Sequence, residues 1–234
     1  MTIEAKIVET VPAPRDLARV RLATIEFIAT AFLLIAVVGS GIMAERLANG
    51  NAALALLANA LATGAALTAL ILTFGPSSGA HMNPVVTLAA VVLDGFDRRL
   101  AAAYIVAQAA GAIVGVWLAH LMFALPMIEL GTKIRGGSGQ WLGEVIATFG
   151  LLAVIWGCRT HRPPVTAIAV AAYITGAYWF TSSTSFANPA VTLARSLSDT
   201  FAGIRPHDAP GFILAEFVGL AVALPLCRAI NRRD

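Results

Sequence analysis

Six stretches of this chain are apolar almost without interruption: Leu22–Ala44, Ala52–Phe74, Leu100–Phe123, Trp141–Cys158, Val165–Phe180 and Gly211–Cys227. The hydrocarbon core of a bilayer takes about 20 residues of helix, so each stretch reads as a membrane-spanning helix, the fifth short at its start. After the second and the fifth stretch the pattern does something unusual. Instead of a polar connection, the chain continues with Asn83-Pro84-Val85-Val86-Thr87-Leu88-Ala89-Ala90 and again with Asn188-Pro189-Ala190-Val191-Thr192-Leu193-Ala194-Arg195. Seven of these eight positions correspond if Val85 and Ala190 count as equivalent small apolar residues. Asn caps a helix by accepting a backbone N–H, and Pro suits the first turn, where its missing N–H has no partner anyway. Each Asn-Pro therefore starts a short helix. At membrane depth such a half-helix is tolerated only inside protein or against a water-filled cavity.

The two halves repeat in other ways. Glu26 opens the first span with Thr30 four residues on, and Glu144 opens the fourth with Thr148. Three spans per half is an odd number, so the second half is upside down relative to the first. Inverted repeats with broken helices meeting near the midplane are a transport architecture. The expected fold is an all-α membrane protein with six transmembrane helices and two re-entrant half-helices. Its parts are an N-terminal arm (1–21), a first repeat (22–123), a connection (124–139), a second repeat (140–228) and a tail (229–234).

Composition agrees with that reading. Of the 234 residues, 58% are hydrophobic and 12% charged, with a mean hydropathy of +0.79, whereas a soluble domain carries about a quarter charged residues. With the N-terminus inside, eleven Lys and Arg fall in inner connections and tails against five outside, which puts both termini in the cytoplasm of a cell bounded by its inner, plasma membrane. The net charge of +3 is this bias; no clustered basic and aromatic face points to nucleic acid. The arm lacks the apolar core of a signal peptide. Cys158 and Cys227 fall at cytoplasmic ends of spans, where a disulfide is not expected, and they make a poor metal site. Scattered His81, His120, His161 and His207, without a close carboxylate or Cys pattern, exclude an enzyme or a metal cluster, and nothing calls for a cofactor.

Ser78-Gly79-Ala80-His81-x-Asn83-Pro84-x-Val86-Thr87 resembles the first signature of the aquaporin and aquaglyceroporin (major intrinsic protein) family, and Asn188-Pro189-Ala190 resembles the second. Tyr104-x-x-Ala107-Gln108-x-x-Gly111-Ala112 and the two Glu-x-x-x-Thr pairs are similar to the family as well. The resemblance covers roughly residues 20 to 230 and implies a channel in the bilayer, assembled as a homotetramer with one pore per subunit. Asn83-Pro84-Val85 and Asn188-Pro189-Ala190 would form the pore midplane, with the Asn amides donating to a passing oxygen and the Pro residues starting helices. Val85 departs from the usual Ala. Glu26 and Glu144, which would otherwise be candidate proton-relay groups, are expected to accept hydrogen bonds from the loop backbone behind the pore, and His81 to bond nearby backbone. Glu216 has no assigned counterpart.

The selectivity filter is where the chain departs from water-selective relatives. Where those carry an Arg three residues after the second Asn, this chain has Val191. Family spacing places the other filter positions at Thr63, where water channels have Phe, at Gly176, where they have His, and at Ser185. Small side chains and no fixed cation imply a wide constriction with two hydroxyls. Arg195, one helical turn beyond Val191, is expected to reach the outer vestibule or the lipid headgroups. The resemblance in filter character runs to bacterial channels of arsenic-resistance loci. The function expected is passive conduction of small uncharged polar solutes: water, and glycerol-like or metalloid solutes such as arsenite in its neutral hydroxide form. The alternatives are a water-selective channel or, in another class, a proton-coupled secondary transporter.

Overall fold

A computed structural model describes residues 15–231. The expected arm lies outside the described residues up to residue 14; its last seven positions are already helical, because the first helix begins at Arg15. In chain order the elements are α1 (Arg15–Leu47), α2 (Ala52–Ser78), α3 (Pro84–Asp94), α4 (Arg98–Met122), α5 (Ser138–Cys158), α6 (Pro163–Phe180), α7 (Pro189–Arg195) and α8 (Ala209–Asn231). No strand occurs among the described residues. Five of the long helices, α1, α2, α4, α5 and α8, have the length and composition to cross a membrane. The sixth long helix, α6, is the shortest at 18 residues and starts on Pro163-Pro164.

The helices begin where the local chemistry dictates. Asn83 and Asn188 both stand in extended backbone (φ −158° and −161°) with their side chains accepting from the first turn, and a Pro follows each. The result is a half-helix of 11 residues for α3 and of 7 for α7.

Packing repeats in the two halves. In the first, α1 lies against α4 and α2; in the second, α5 lies against α8 and α6; α2 and α6 join the halves. Without water to drive apolar surfaces together, helices in lipid associate through close van der Waals contact, and small residues set the approach. A Cβ on Gly111 of α4 would stand 2.2 Å from the carbonyl oxygen of Phe27, and one on Gly115 would stand 2.4 Å from that of Ala31. On α8, a Cβ on Gly219 would stand 2.8 Å from the carbonyl oxygen of Val145. Larger residues there would push α1 from α4, or α5 from α8. Outside, Val106, Leu214, Leu61 and Ile168 are more than half exposed. Inside are three carboxylates, Glu26, Glu144 and Glu216, each fully buried. Apolar outside and ionisable within is the arrangement of a protein solvated by lipid.

Candidate functional site: a cavity past two half-helix tips

The two half-helices meet at their starting residues. Asn83 Nδ2 donates to the carbonyl oxygen of Ala187 at 2.7 Å, and Asn188 Nδ2 donates to that of Met82 at 2.8 Å. Each Oδ1 accepts from its own helix, Asn83 from Val85 N and Asn188 from Ala190 N and Val191 N. A carboxamide carries two N–H groups, so after the reciprocal bond each Asn keeps one donor. Both residues line a cavity of about 570 Å³. Pro84, Val85, Pro189 and Ala190 are buried and are not among the residues that line the cavity.

The tips hold their shape because two loops carry backbone that non-glycine residues seldom adopt. Ala80 and Met82 before α3, and Thr184, Ser185 and Ala187 before α7, all have φ between 47° and 63°. Such residues cost free energy and persist only where their surroundings over-determine them. Here the surroundings are carboxylates. Glu26 accepts from His81 N and Ser78 Oγ on Oε1 (3.0 and 2.6 Å), and from Met82 N and Gln108 Nε2 on Oε2 (2.7 and 2.8 Å). Glu144 accepts from Phe186 N at 2.9 Å and Ala187 N at 2.7 Å. Glu216 finds its place here too: Oε1 accepts from Asn188 N at 3.1 Å and from Thr192 Oγ1 at 2.6 Å. Its counterpart is Gln108 of the first half, which donates to Thr87 Oγ1 at 3.0 Å. Thr87 and Thr192 are equivalent positions of the doubled motif, and Gly111 and Gly219 follow Gln108 and Glu216 at the same distance. That spacing was the available signal for the pairing.

His81 lines the cavity, and its hydrogen bond goes to a side chain, Thr87 Oγ1 at 3.1 Å, where backbone was expected. Its ring packs against Tyr104 with centroids 5.5 Å apart, as Phe186 packs against Phe212 at 5.1 Å in the other half.

Of the four expected filter residues, Thr63, Ser185 and Val191 line the cavity and Gly176 does not. A side chain added at Gly176 would meet the ring of Phe180, on the face of α6 turned from the cavity. The face that lines it carries Val170, Ile174 and Tyr178, and the Tyr178 hydroxyl is 3.2 Å from Thr63 Oγ1. Residue counting back from Asn188 thus misses the wall by two positions, about half a turn of helix. Ser185 Oγ is buried with no hydrogen-bond partner among the described residues.

Of the two places expected for Arg195, a vestibule and the lipid headgroups, the second is overturned. Arg195 is not at a headgroup interface: it is 2% exposed and lines the cavity on the same face of α7 as Asn188 and Val191. Its Nε donates to the carbonyl oxygen of Ala202, and its Cζ stands 3.3 Å from the centroid of the Phe186 ring. A second guanidinium, Arg135 from the 124–139 connection, lies 5.0 Å from the same ring. Arg135 is anchored by Gly203 O, Ser183 O and Thr184 Oγ1. Burial pulls the Arg135 guanidinium down to about 10, partly offset by Glu144 and Tyr178, so it stays charged at neutral pH. No local pattern in the connection announces Arg135. Arg195 had a signal: the doubled motif aligns it with Ala90, and Ala90 lines the cavity too.

At the α3 end the cavity is bounded by Leu93, Asp94 and Arg159, the last two joined as an ion pair. A passage lined by apolar side chains, with single polar groups spaced along it and two half-helix tips at its middle, inside a bundle of lipid-facing helices, defines a membrane channel. The chain belongs to the major intrinsic protein family, whose model matches residues 15–165. It is 54% identical over 209 residues to aquaglyceroporin AqpS of Rhizobium meliloti, an alignment covering 89% of each chain. It is 30% identical to aquaporin NIP1-4 of Oryza sativa over 89% of this chain and 76% of that one. Among solved structures it resembles the aquaglyceroporin of Plasmodium falciparum, with a TM-score of 0.74, 21% identity, and coverage of 91% of this chain and 99% of that one. Members of this family are channels, not enzymes.

Proposed function

We propose that the protein passively conducts small uncharged polar solutes in both directions: water, glycerol-like molecules, and neutral metalloid hydroxides such as arsenous acid. The observation that carries this reading is the wall of the cavity on the α7 side. At Val191, three residues past the second Asn, a β-branched apolar side chain takes the place of a guanidinium, and Thr63, Ser185 and Tyr178 supply hydroxyls around it. A solute bearing several hydroxyl groups exchanges its water for these and for the two free Asn N–H groups in turn. An apolar wall between them keeps each stop weak enough to leave, which conduction requires. Similarity to a protein named an aquaglyceroporin supports the same solute class. Glu26, Glu144 and His81 serve as structural support for the loops, with no proton step.

The bias of basic residues toward one side supports an orientation with the α7 end of the cavity outside and both chain termini in the cytoplasm, in the inner membrane of the cell. By likeness to the family the channel is a homotetramer with a pore in each subunit. The test is a permeability panel on purified protein in proteoliposomes: water, glycerol, urea and arsenite. Val191→Arg should lower glycerol and arsenite flux about tenfold, about 1.4 kcal/mol in barrier, while water changes little. Equal flux of all four solutes in parent and variant would overturn the assigned constriction. Accumulation of solute against its gradient when a proton gradient is imposed would favour a secondary transporter instead.

A further inference from the structure

The proposed constriction lacks the guanidinium at Val191, yet of the two that line the cavity, Arg159 is paired with Asp94 at the α3 end and Arg195 stands on α7 itself. We infer that Arg195 is the specificity-determining cation of this channel, acting from one helical turn beyond Val191, so that width and charge are set on successive turns of α7. The inference rests on the channel reading above. Three observations carry it. Asn188, Val191 and Arg195 follow one another at helical spacing along one face, and all three line the cavity. The guanidinium is fixed rather than free to snorkel: Nε is held by Ala202 O and the plane by the Phe186 face. Its two terminal nitrogens have no hydrogen-bond partner among the described residues, in a side chain that is 2% exposed.

Arg donates and never accepts, and it forms no ion pair among the described residues. Glu144 and Glu216 lie close enough to act on its charge, with Arg135 opposing them, but neither carboxylate is within ion-pair distance. A cavity-lining guanidinium with no bonded counter-ion repels cations and offers donors to solute oxygens. Ser185 Oγ, also without a partner, is a cavity-wall hydroxyl beside the Phe186 ring on which that guanidinium lies. The pair suits a solute with two or more oxygen atoms, a diol or a hydroxide, over one with a single polar end. Because Val191 is small, this charge acts without closing the ring that a guanidinium at position 191 would close.

The test reads the field inside the cavity directly. Val191→Cys places a thiol one turn from Arg195. In proteoliposomes it is exposed to a sulfonatoethyl or a trimethylammonioethyl methanethiosulfonate, reagents of similar size and opposite charge. The rate of labelling is read by peptide mass, so it does not depend on solute flux. With Arg195 in place, the ratio of anionic to cationic labelling rates should exceed that of a free thiol by about tenfold. Arg195→Met should remove most of that excess and Arg195→Lys should keep most of it. A ratio in Arg195→Met equal to that with Arg195 intact overturns the proposal. If Arg195→Met does not assemble, the intact protein decides alone: a ratio no higher than that of the free thiol overturns it. A parent chain that passes no glycerol would count against the channel reading, while the labelling ratio would still decide this one.

Discussion

The two halves of this channel carry the same scaffold and differ in what they place on it. Each half bends a loop under a buried carboxylate, lifts an Asn onto a half-helix, and backs the ring two residues before that Asn with an aromatic from its third long helix. In the first half the ring is His81 and the backing residue Tyr104, whose hydroxyl donates to Ser78 O at 2.8 Å. In the second they are Phe186 and Phe212, without a polar atom between them. One end of the cavity therefore carries an imidazole and the Asp94–Arg159 ion pair. The other carries an aromatic face with Arg195 and Arg135 on it. The scaffold tolerates this because the loop shape depends on backbone N–H groups bonded to a carboxylate, not on the side chains those loops present. Selectivity can then diverge between the two ends while the tips stay in register.

The comparison breaks most decisively at the carboxylates. Glu26 takes four donors and Glu144 takes two, Glu216 sharing the load in the second half. Glu26→Gln turns an amide N–H₂ toward donors it cannot accept from. Each buried donor left without an acceptor costs about 1–3 kcal/mol; two of the four face the new amide, so Glu26→Gln should lose most of its folded yield and its glycerol flux. Glu144→Gln should cost less, about 2 kcal/mol, and leave a measurable folded fraction on size-exclusion. Equal thermal midpoints for the two variants in detergent would mean that the halves share the load evenly.

A sequence reading reaches the scaffold more readily than what it presents. The tips were legible because Asn-Pro after an apolar run has few structural explanations, and two copies have fewer. Glu26 and Glu144 stand out as carboxylates in apolar spans. Glu216 and Gln108 are equally buried, yet their pairing becomes visible only when α8 is laid on α4, because they differ in charge. Gly176 was misplaced for a geometric reason: residues 181–187 separate α6 from Asn188, and counting across a loop does not preserve helical phase. Arg135 was out of reach altogether. Its anchors are backbone carbonyls of residues 183 and 203, which only tertiary structure brings to the connection.

Exchanging the α4 and α8 partners sharpens the comparison with smaller effects. Gln108 donates one amide to both Glu26 and Thr87. Gln108→Glu replaces that donor with a second buried acid against Glu26, leaving an acceptor without a hydrogen. A buried group left unsatisfied costs about 1–3 kcal/mol, and the variant should show a lowered thermal midpoint with the cavity and its solute preference intact. A change in the glycerol-to-water flux ratio at unchanged midpoint would instead place Gln108 in the conduction path.

The reverse exchange should be the mildest. Glu216 uses only Oε1; Oε2 is buried with no hydrogen-bond partner among the described residues, and Glu144 is its near neighbour. In Glu216→Gln the retained oxygen still accepts from Asn188 N and Thr192 Oγ1. The new amide takes the place of the orphaned oxygen and meets Glu144 as a donor, as Gln108 meets Glu26 in the first half. One buried acid is removed and one hydrogen bond is gained, so the thermal midpoint should hold or rise, by a change within about 1 kcal/mol, and solute flux should be retained. A clear fall in midpoint would show that the second carboxyl is required where the first half manages with an amide. The two halves would then differ in how they are held together as well as in what they display.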